Sequence, residues 1–196
     1  MSFEDVLSAK ISDKSVAQKQ LILTFKERPH VSKSKIDANE DSKYLNVGES
    51  ASTVYGETSQ RYISAQNISY DLILSIYDVN SSALFCARAY KTVLPLEPKI
   101  ASFLKSLHGP HLEARLIGMQ NNQDIEILKE VMKMQKKYKI PIFEVDLFGN
   151  ATRNIALDAK VGMSFDILLG DRLYRPGELL NKTTLEQFER TIKSPS

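Results

Sequence analysis

The chain has one cysteine, Cys86, among 196 residues. A single thiol excludes an internal disulfide and a cysteine-rich zinc site, and a cytoplasmic protein is the simplest reading. An excess of one charge is also missing. The 26 basic and 24 acidic side chains leave a net charge of +2. Nucleic-acid binding usually shows as a clustered basic excess, so no nucleic-acid partner is expected. No apolar run is long enough to span a bilayer, so membrane insertion is not expected. Residues 1–20 carry scattered charges and no apolar h-region, so no secretory signal is expected either. What is present is ordinary for a folded soluble protein: 42% hydrophobic residues and enough length for one sizeable domain with tails.

Three regions follow from the pattern along the chain. Residues 1–43 read as an N-terminal arm or linker, partly disordered. Within them, 2–17 is compatible with a weak helix, and 21–25 (Leu-Ile-Leu-Thr-Phe) with an edge strand or a docking segment. Residues 27–43 are rich in Lys, Asp, Ser and Glu and have too few large apolar side chains to offset their ordering entropy. Lys33 and Lys35 are neutralised at once by Asp37, Glu40 and Asp41. Residues 44–180 form the globular domain, and 181–196 a short helix and tail that starts at the capping box Thr183-Thr184-Leu185-Glu186.

Inside the domain the apolar period switches between that of a strand and that of a helix. Residues 45–49 read as a short strand ending in a turn at Gly48, and 50–63 as a polar stretch. Residues 69–77 are nearly apolar in their second half, as for a strand covered on both faces. After the turn chemistry of 78–82, residues 83–93 return as the hairpin partner. A helix starts after Pro95, carries Ile100, Phe103, Leu104 and Leu107 on one face, and stops at His108-Gly109-Pro110. A half-buried strand follows at 112–118, then a helix over about 122–138 with Ile125, Leu128, Val131, Met132 and Gln135 inward. The lysines at its C-terminal end suit the helix dipole and need no binding role. Strands at 140–147, 154–158 and 164–169 complete the set, with turns at Gly149-Asn150 and Lys160-Val161-Gly162. His108 and His111 have no third ligand at metal-binding spacing, so they read as surface histidines and no metal or other cofactor is expected.

Several local strings, in order, resemble the CheD family, the chemoreceptor glutamine deamidases. They are Val47-Gly48-Glu49; the apolar strand ending in Tyr77-Asp78; His111-Leu112-Glu113-Ala114-Arg115-Leu116-Ile117-Gly118; and Glu144-Val145-Asp146-Leu147-Phe148-Gly149-Asn150-Ala151-Thr152-Arg153-Asn154-Ile155-Ala156-Leu157-Asp158. The resemblance covers residues 45–169. It implies an α+β fold, a CheD-like layered α/β domain with mixed β-sheets packed against two or three helices. It also implies a protein partner, a chemoreceptor or a CheC-like phosphatase. The oligomeric state is left open.

The resemblance further implies a site built on cysteine, histidine and threonine, in which a thiolate attacks a glutamine carboxamide and an imidazole handles the proton. Aligned on Tyr77-Asp78, the cysteine position falls on Asp71, the histidine on Arg88 and the threonine on Ala65. All three catalytic side chains are absent. Asp71 and Arg88 are expected to form a partly buried salt bridge in their place. Cys86, two residues from Arg88 and on the same strand face, is the candidate for a rebuilt site. Gly149, Asn150 and Arg153 either shape the site, as the resemblance implies, or serve architecture alone, with Arg153 meeting a carboxylate across the sheet. Three functions follow: a catalytically degenerate CheD-like signalling protein that acts by binding, an active protein-glutamine deamidase built around Cys86, or a structural assembly module that keeps only the fold.

Overall fold

The computed structural model describes residues 21–24, 28–37, 42–57, 60–90, 95–120, 125–149, 151–168 and 182–183. In chain order the elements are β1 (Leu21–Thr24), β2 (His30–Ser32), α1 (Lys33–Asp37), β3 (Lys43–Tyr44), β4 (Ser50–Val54), β5 (Tyr62–Ile68), β6 (Leu72–Asp78), β7 (Ala83–Ala89), α2 (Leu96–Lys105), β8 (Leu112–Gly118), α3 (Ile125–Tyr138), β9 (Ile142–Leu147), β10 (Arg153–Asp158), β11 (Met163–Leu168) and β12 (Lys182–Thr183). The strands form two mixed sheets, one of seven strands in the order β12-β1-β9-β8-β6-β7-β4 and one of five in the order β2-β11-β10-β5-β3. This is an α+β architecture of stacked layers.

Side-chain alternation builds the layers. Along β6, Leu72, Leu74 and Ile76 belong to a core shared with Ile100 and Phe103 of α2 and Leu128 and Val131 of α3. Ile73 and Tyr77, pointing the other way, join Leu84 and Cys86 of β7 and Ile63, Ala65, Ile155 and Leu157 of the second sheet. Along β6 and β7 the seven-stranded sheet is covered on both faces, which is why every residue of these two strands is buried. The outer face of the five-stranded sheet carries a smaller cluster in which Val31 of β2 and Ile36 of α1 meet Tyr62, Ala156 and Ile167.

The best-patterned elements form where the periodicity puts them. β8 spans the expected residues, β6 and β7 pair as an antiparallel hairpin, and β8 and β9 run parallel on either side of α3 in sequence. Helix α3 buries Ile127 and Met134 along with Leu128, Val131 and Met132, while Gln135 is half-buried. Among the described residues, no helix is long and apolar enough to cross a membrane.

Four expectations change. The stretch 45–49 is a turn after the two-residue β3; Glu49 N donates to Asn46 O at 3.1 Å, and Gly48 has φ 84°. The polar stretch 50–63 contains β4 and the start of β5. The small side chains of Ser50-Ala51-Ser52-Thr53-Val54 suit the sheet edge they occupy, beside β7. The strand expected from residue 69 starts at Leu72, because Asp71 Oδ1 accepts from Ser69 N at 3.1 Å and closes a bend. Finally, the strand expected at 21–25 is β1, inside the seven-stranded sheet between β9 and β12, and the polar residues 28–37 carry β2, which pairs with β11, and α1. Two buried side chains, Val31 and Ile36, together with backbone pairing and Arg28, hold residues 28–37, part of the stretch 27–43 too polar to read as structured. Residues 1–20, Asn121 and Asn122, Asn150, the turn at Gly170-Asp171 and most of 181–196 lie outside the described residues; of the capping box, only Thr183 is described, in β12.

Candidate functional site

One end of the sandwich gathers the start of β6, the ends of β5, β7, β8 and β9, and the start of β10. The register of the β6–β7 hairpin, with Ile73 opposite Arg88 and Leu72 opposite Ala89, brings Arg88 alongside Asp71, the residue just before β6. Their side chains meet: Arg88 Nε donates to Asp71 Oδ2. The guanidinium also donates through Nη1 to Leu45 O at 3.1 Å and through Nη2 to Asn67 O at 3.3 Å. Asp71 is 4% and Arg88 8% exposed. The pair is closed, with the carboxylate taking a cation and a backbone N–H and the cation spread over three acceptors.

Ala65 sits in the middle of β5, opposite Ile155, within the apolar layer between the sheets. Its methyl group brings no hydrogen-bonding function to the site. Cys86 points into the same layer and is 1% exposed. Burial pushes its thiol pKa far up from the ordinary cysteine range. No imidazole lies near it among the described residues. His111 is at the opposite end of β6, where its N–H donates to Asp78 Oδ1 at 2.7 Å; His108 is in the exposed loop after α2, and His30 begins β2 on the far sheet. A protonated thiol with no base cannot start nucleophilic catalysis.

The Gly149 turn has φ 77°. Arg153 is 2% exposed and fully engaged. Its Nε and Nη2 donate to Asp146 Oδ1 at 3.0 and 2.9 Å, Nη1 to Ala151 O at 3.1 Å, and Nη2 to Phe148 O at 2.6 Å. Arg153 thus ties the start of β10 to β9 and to the carbonyls of Phe148 and Ala151.

The backbone at this end is unusual. Asn67 (φ 54°), Gly118 (φ 124°), Met119 (φ 54°), Phe148 (φ 66°) and Gly149 all have left-handed conformations, which cluster at functional sites when the surroundings enforce them. The enforcement is visible. Met119 N donates to Asp71 O at 2.9 Å, Phe148 N to Gly118 O at 3.1 Å, and Asn67 N to Asn154 Oδ1 at 2.8 Å. A Cβ on Gly118 would stand 2.2 Å from Asp71 O and 2.9 Å from Ile68 Cγ2, so only glycine fits there. Tyr70 and Val47, both about half exposed, flank the ion pair through their neighbours Asp71 and Gly48.

Sequence reasoning missed a second charged cluster, deep between the sheets. Arg28 donates to Glu144 Oε1 at 2.8 Å, to Asp146 Oδ2 at 3.0 Å and to Asp166 Oδ1 at 2.8 Å. Ser164 Oγ donates to Glu144, and Arg115 Nε stands 3.6 Å from Glu144 Oε2. Burial works against the charge on Arg28, but the carboxylates of Glu144, Asp146 and Asp166 outweigh it and hold the pKa well above the ordinary arginine value. The signal available was the alternation Glu144-Val145-Asp146-Leu147 in a strand buried on both faces: inward acids require cations. Among the described residues, no group of three or more His, Cys, Asp or Glu is arranged to hold a metal ion.

No protein-family model matches the chain, and a search of curated proteins finds no match.

Proposed function

We propose that this chain is a CheD-like signalling protein that has lost deamidase chemistry and acts by binding a protein partner, a chemoreceptor or a CheC-like phosphatase. The observation that carries the reading is the closed Asp71–Arg88 pair at the positions where the resemblance implies a thiol and an imidazole. Arginine stays protonated at any physiological pH and cannot shuttle a proton. The Asp71 carboxylate is spent on Arg88 and Ser69 N. The layered α+β architecture and the parallel β8–α3–β9 unit, with its left-handed turns around the ion pair, fit the same reading. On this reading the exposed Tyr70 and Val47 beside the pair are part of the contact surface, and the protein works in the cytoplasm.

The alternative, a deamidase rebuilt around Cys86, needs an accessible thiol and a base. The buried, protonation-favouring position of Cys86 supplies neither. Incubating the protein with a glutamine-bearing chemoreceptor cytoplasmic fragment tests the choice. Ammonia release should equal the protein-free blank, and Cys86→Ser should change nothing. Ammonia release that disappears in Cys86→Ser would overturn the reading.

A further inference from the structure

Helices α2 and α3 pack on the same face of the seven-stranded sheet, where Ile100 and Phe103 share a core with Leu128 and Val131. Lys137 Nζ donates to Glu97 across the seam between them. Their outer sides therefore form one solvent-facing surface. Five lysines from Lys129 to Lys139 are exposed on it, and α2 adds Lys99 and Lys105. The acids of the two helices are Glu97, Glu126 and Glu130. Seven lysines against three glutamates leave this face at +4, in a chain whose net charge is +2. Helix electrostatics accounts for only part of the excess. Cations suit the last turn of a helix, which covers Lys105, Lys136, Lys137 and Lys139 just beyond. Lys99, in the first turn of α2, and Lys129 and Lys133 have no such reason to be there. Lys129, Lys133 and Lys137 also stand four residues apart in one row along α3, where like charges repel. Of the seven, only Lys129 and Lys137 pair with a carboxylate, Glu126 and Glu97; the other five make no ion pair among the described residues.

We propose that this face docks an acidic protein surface, an α-helix with Asp or Glu at four-residue spacing. Such a helix repeats its carboxylates every ~6 Å along its axis, the interval between the lysines of the row. The row is unfavourable in the free protein and becomes favourable when negative charges lie against it, so the contact is fast to form and sensitive to salt. The make-up of the face selects against other anionic partners. All its cations are lysines, while every arginine among the described residues is held in an ion pair. The face therefore has no planar fork for phosphates or base edges. None of the exposed large hydrophobics, Val47, Tyr55, Tyr70, Val79 and Val161, lies on α2 or α3, so nothing here inserts into a bilayer. Tyr70 and Val47 take no part in this contact, and it does not depend on the function proposed above.

The probe is a fluorescein-labelled, alanine-based helical peptide with glutamate at every fourth position, and its glutamine counterpart is the control. Fluorescence anisotropy with the full-length protein at about 0.05 M and about 0.3 M salt should show saturable binding of the glutamate peptide. Binding should be at least tenfold weaker at the higher salt and absent for the glutamine peptide. Lys133→Glu should weaken it about tenfold, and Lys35→Glu, an exposed position on α1 against the other sheet, should leave it unchanged. The urea midpoint of Lys133→Glu should lie at or above that of the unmodified chain, because the substitution relieves the repulsion in the row. Several results would overturn the proposal: no binding of the glutamate peptide at the lower salt, tighter binding of a short duplex DNA or of phosphatidylserine vesicles, equal weakening by Lys133→Glu and Lys35→Glu, or a lowered midpoint for Lys133→Glu.

Discussion

Replacing Arg88 with methionine keeps much of its length and removes its charge. The structure sets the consequence. Asp71, 4% exposed, would keep only the N–H of Ser69, and the carbonyls of Leu45 and Asn67 would lose their donor. Breaking a buried ion pair from one side costs about 3–5 kcal/mol, largely because the remaining charge is uncompensated. The buried Leu45 carbonyl, left without this donor, pushes the figure toward the top of that range. Asp71→Leu should cost about as much, because it leaves Arg88 uncompensated. The double variant Asp71→Leu/Arg88→Met should cost far less than the sum, with a coupling of roughly 2–3 kcal/mol, since apolar replacement of a whole buried pair is often near neutral. Equilibrium urea unfolding of the four proteins at neutral pH measures the cycle. If Arg88→Met costs under about 1 kcal/mol, or if the singles add, the pair is not the closed, buried unit described here.

Gly118→Ala should destabilise by about 2 kcal/mol or more and weaken hydrogen-exchange protection at Met119, because the new methyl meets the carbonyl of Asp71, the acceptor for Met119 N. Asp78 should contribute an acid-sensitive component. Burial raises its pKa, but the Ser81 hydroxyl and the N–H groups of His111, Asn80 and Ser81 outweigh burial and hold it below the ordinary aspartate value. Its stabilisation is therefore full above the unfolded pKa, about 3.9, and is lost as pH falls through the lower folded value; Asp78→Asn should flatten the acid limb of a stability–pH curve. Cys86 should react with a thiol reagent only as fast as the protein unfolds, with full reactivity in denaturant.

The parts of this fold that were legible in the sequence are those where one pattern dominates locally. β8 alternates, β6 is mostly apolar and buried throughout, and the turn at 79–82 contains Asn and Ser beside Asp78, which caps it. Asp71 and Arg88 could be paired in advance because a hairpin sets their register from the turn alone. The remainder depended on distant partners. β4 is a small polar strand that exists because β7 offers it an edge. Segment 28–37 has two buried side chains among those described, and Arg28 anchors it on carboxylates 116 and 138 positions away. No local window contains that information. Arg153 bonds the carbonyls of Phe148 and Ala151, partners that lie within a few residues of it in the chain.

On the proposed reading this protein binds its partner without converting it. The direct measurement titrates the full-length protein against a chemoreceptor cytoplasmic fragment and against a CheC-like phosphatase, then records the intact mass of the receptor fragment from the same sample. Saturable binding to at least one of the two is expected, weakened by Tyr70→Asp, with the receptor mass unchanged. A gain of roughly one dalton per converted glutamine, or no binding to either partner, would contradict it.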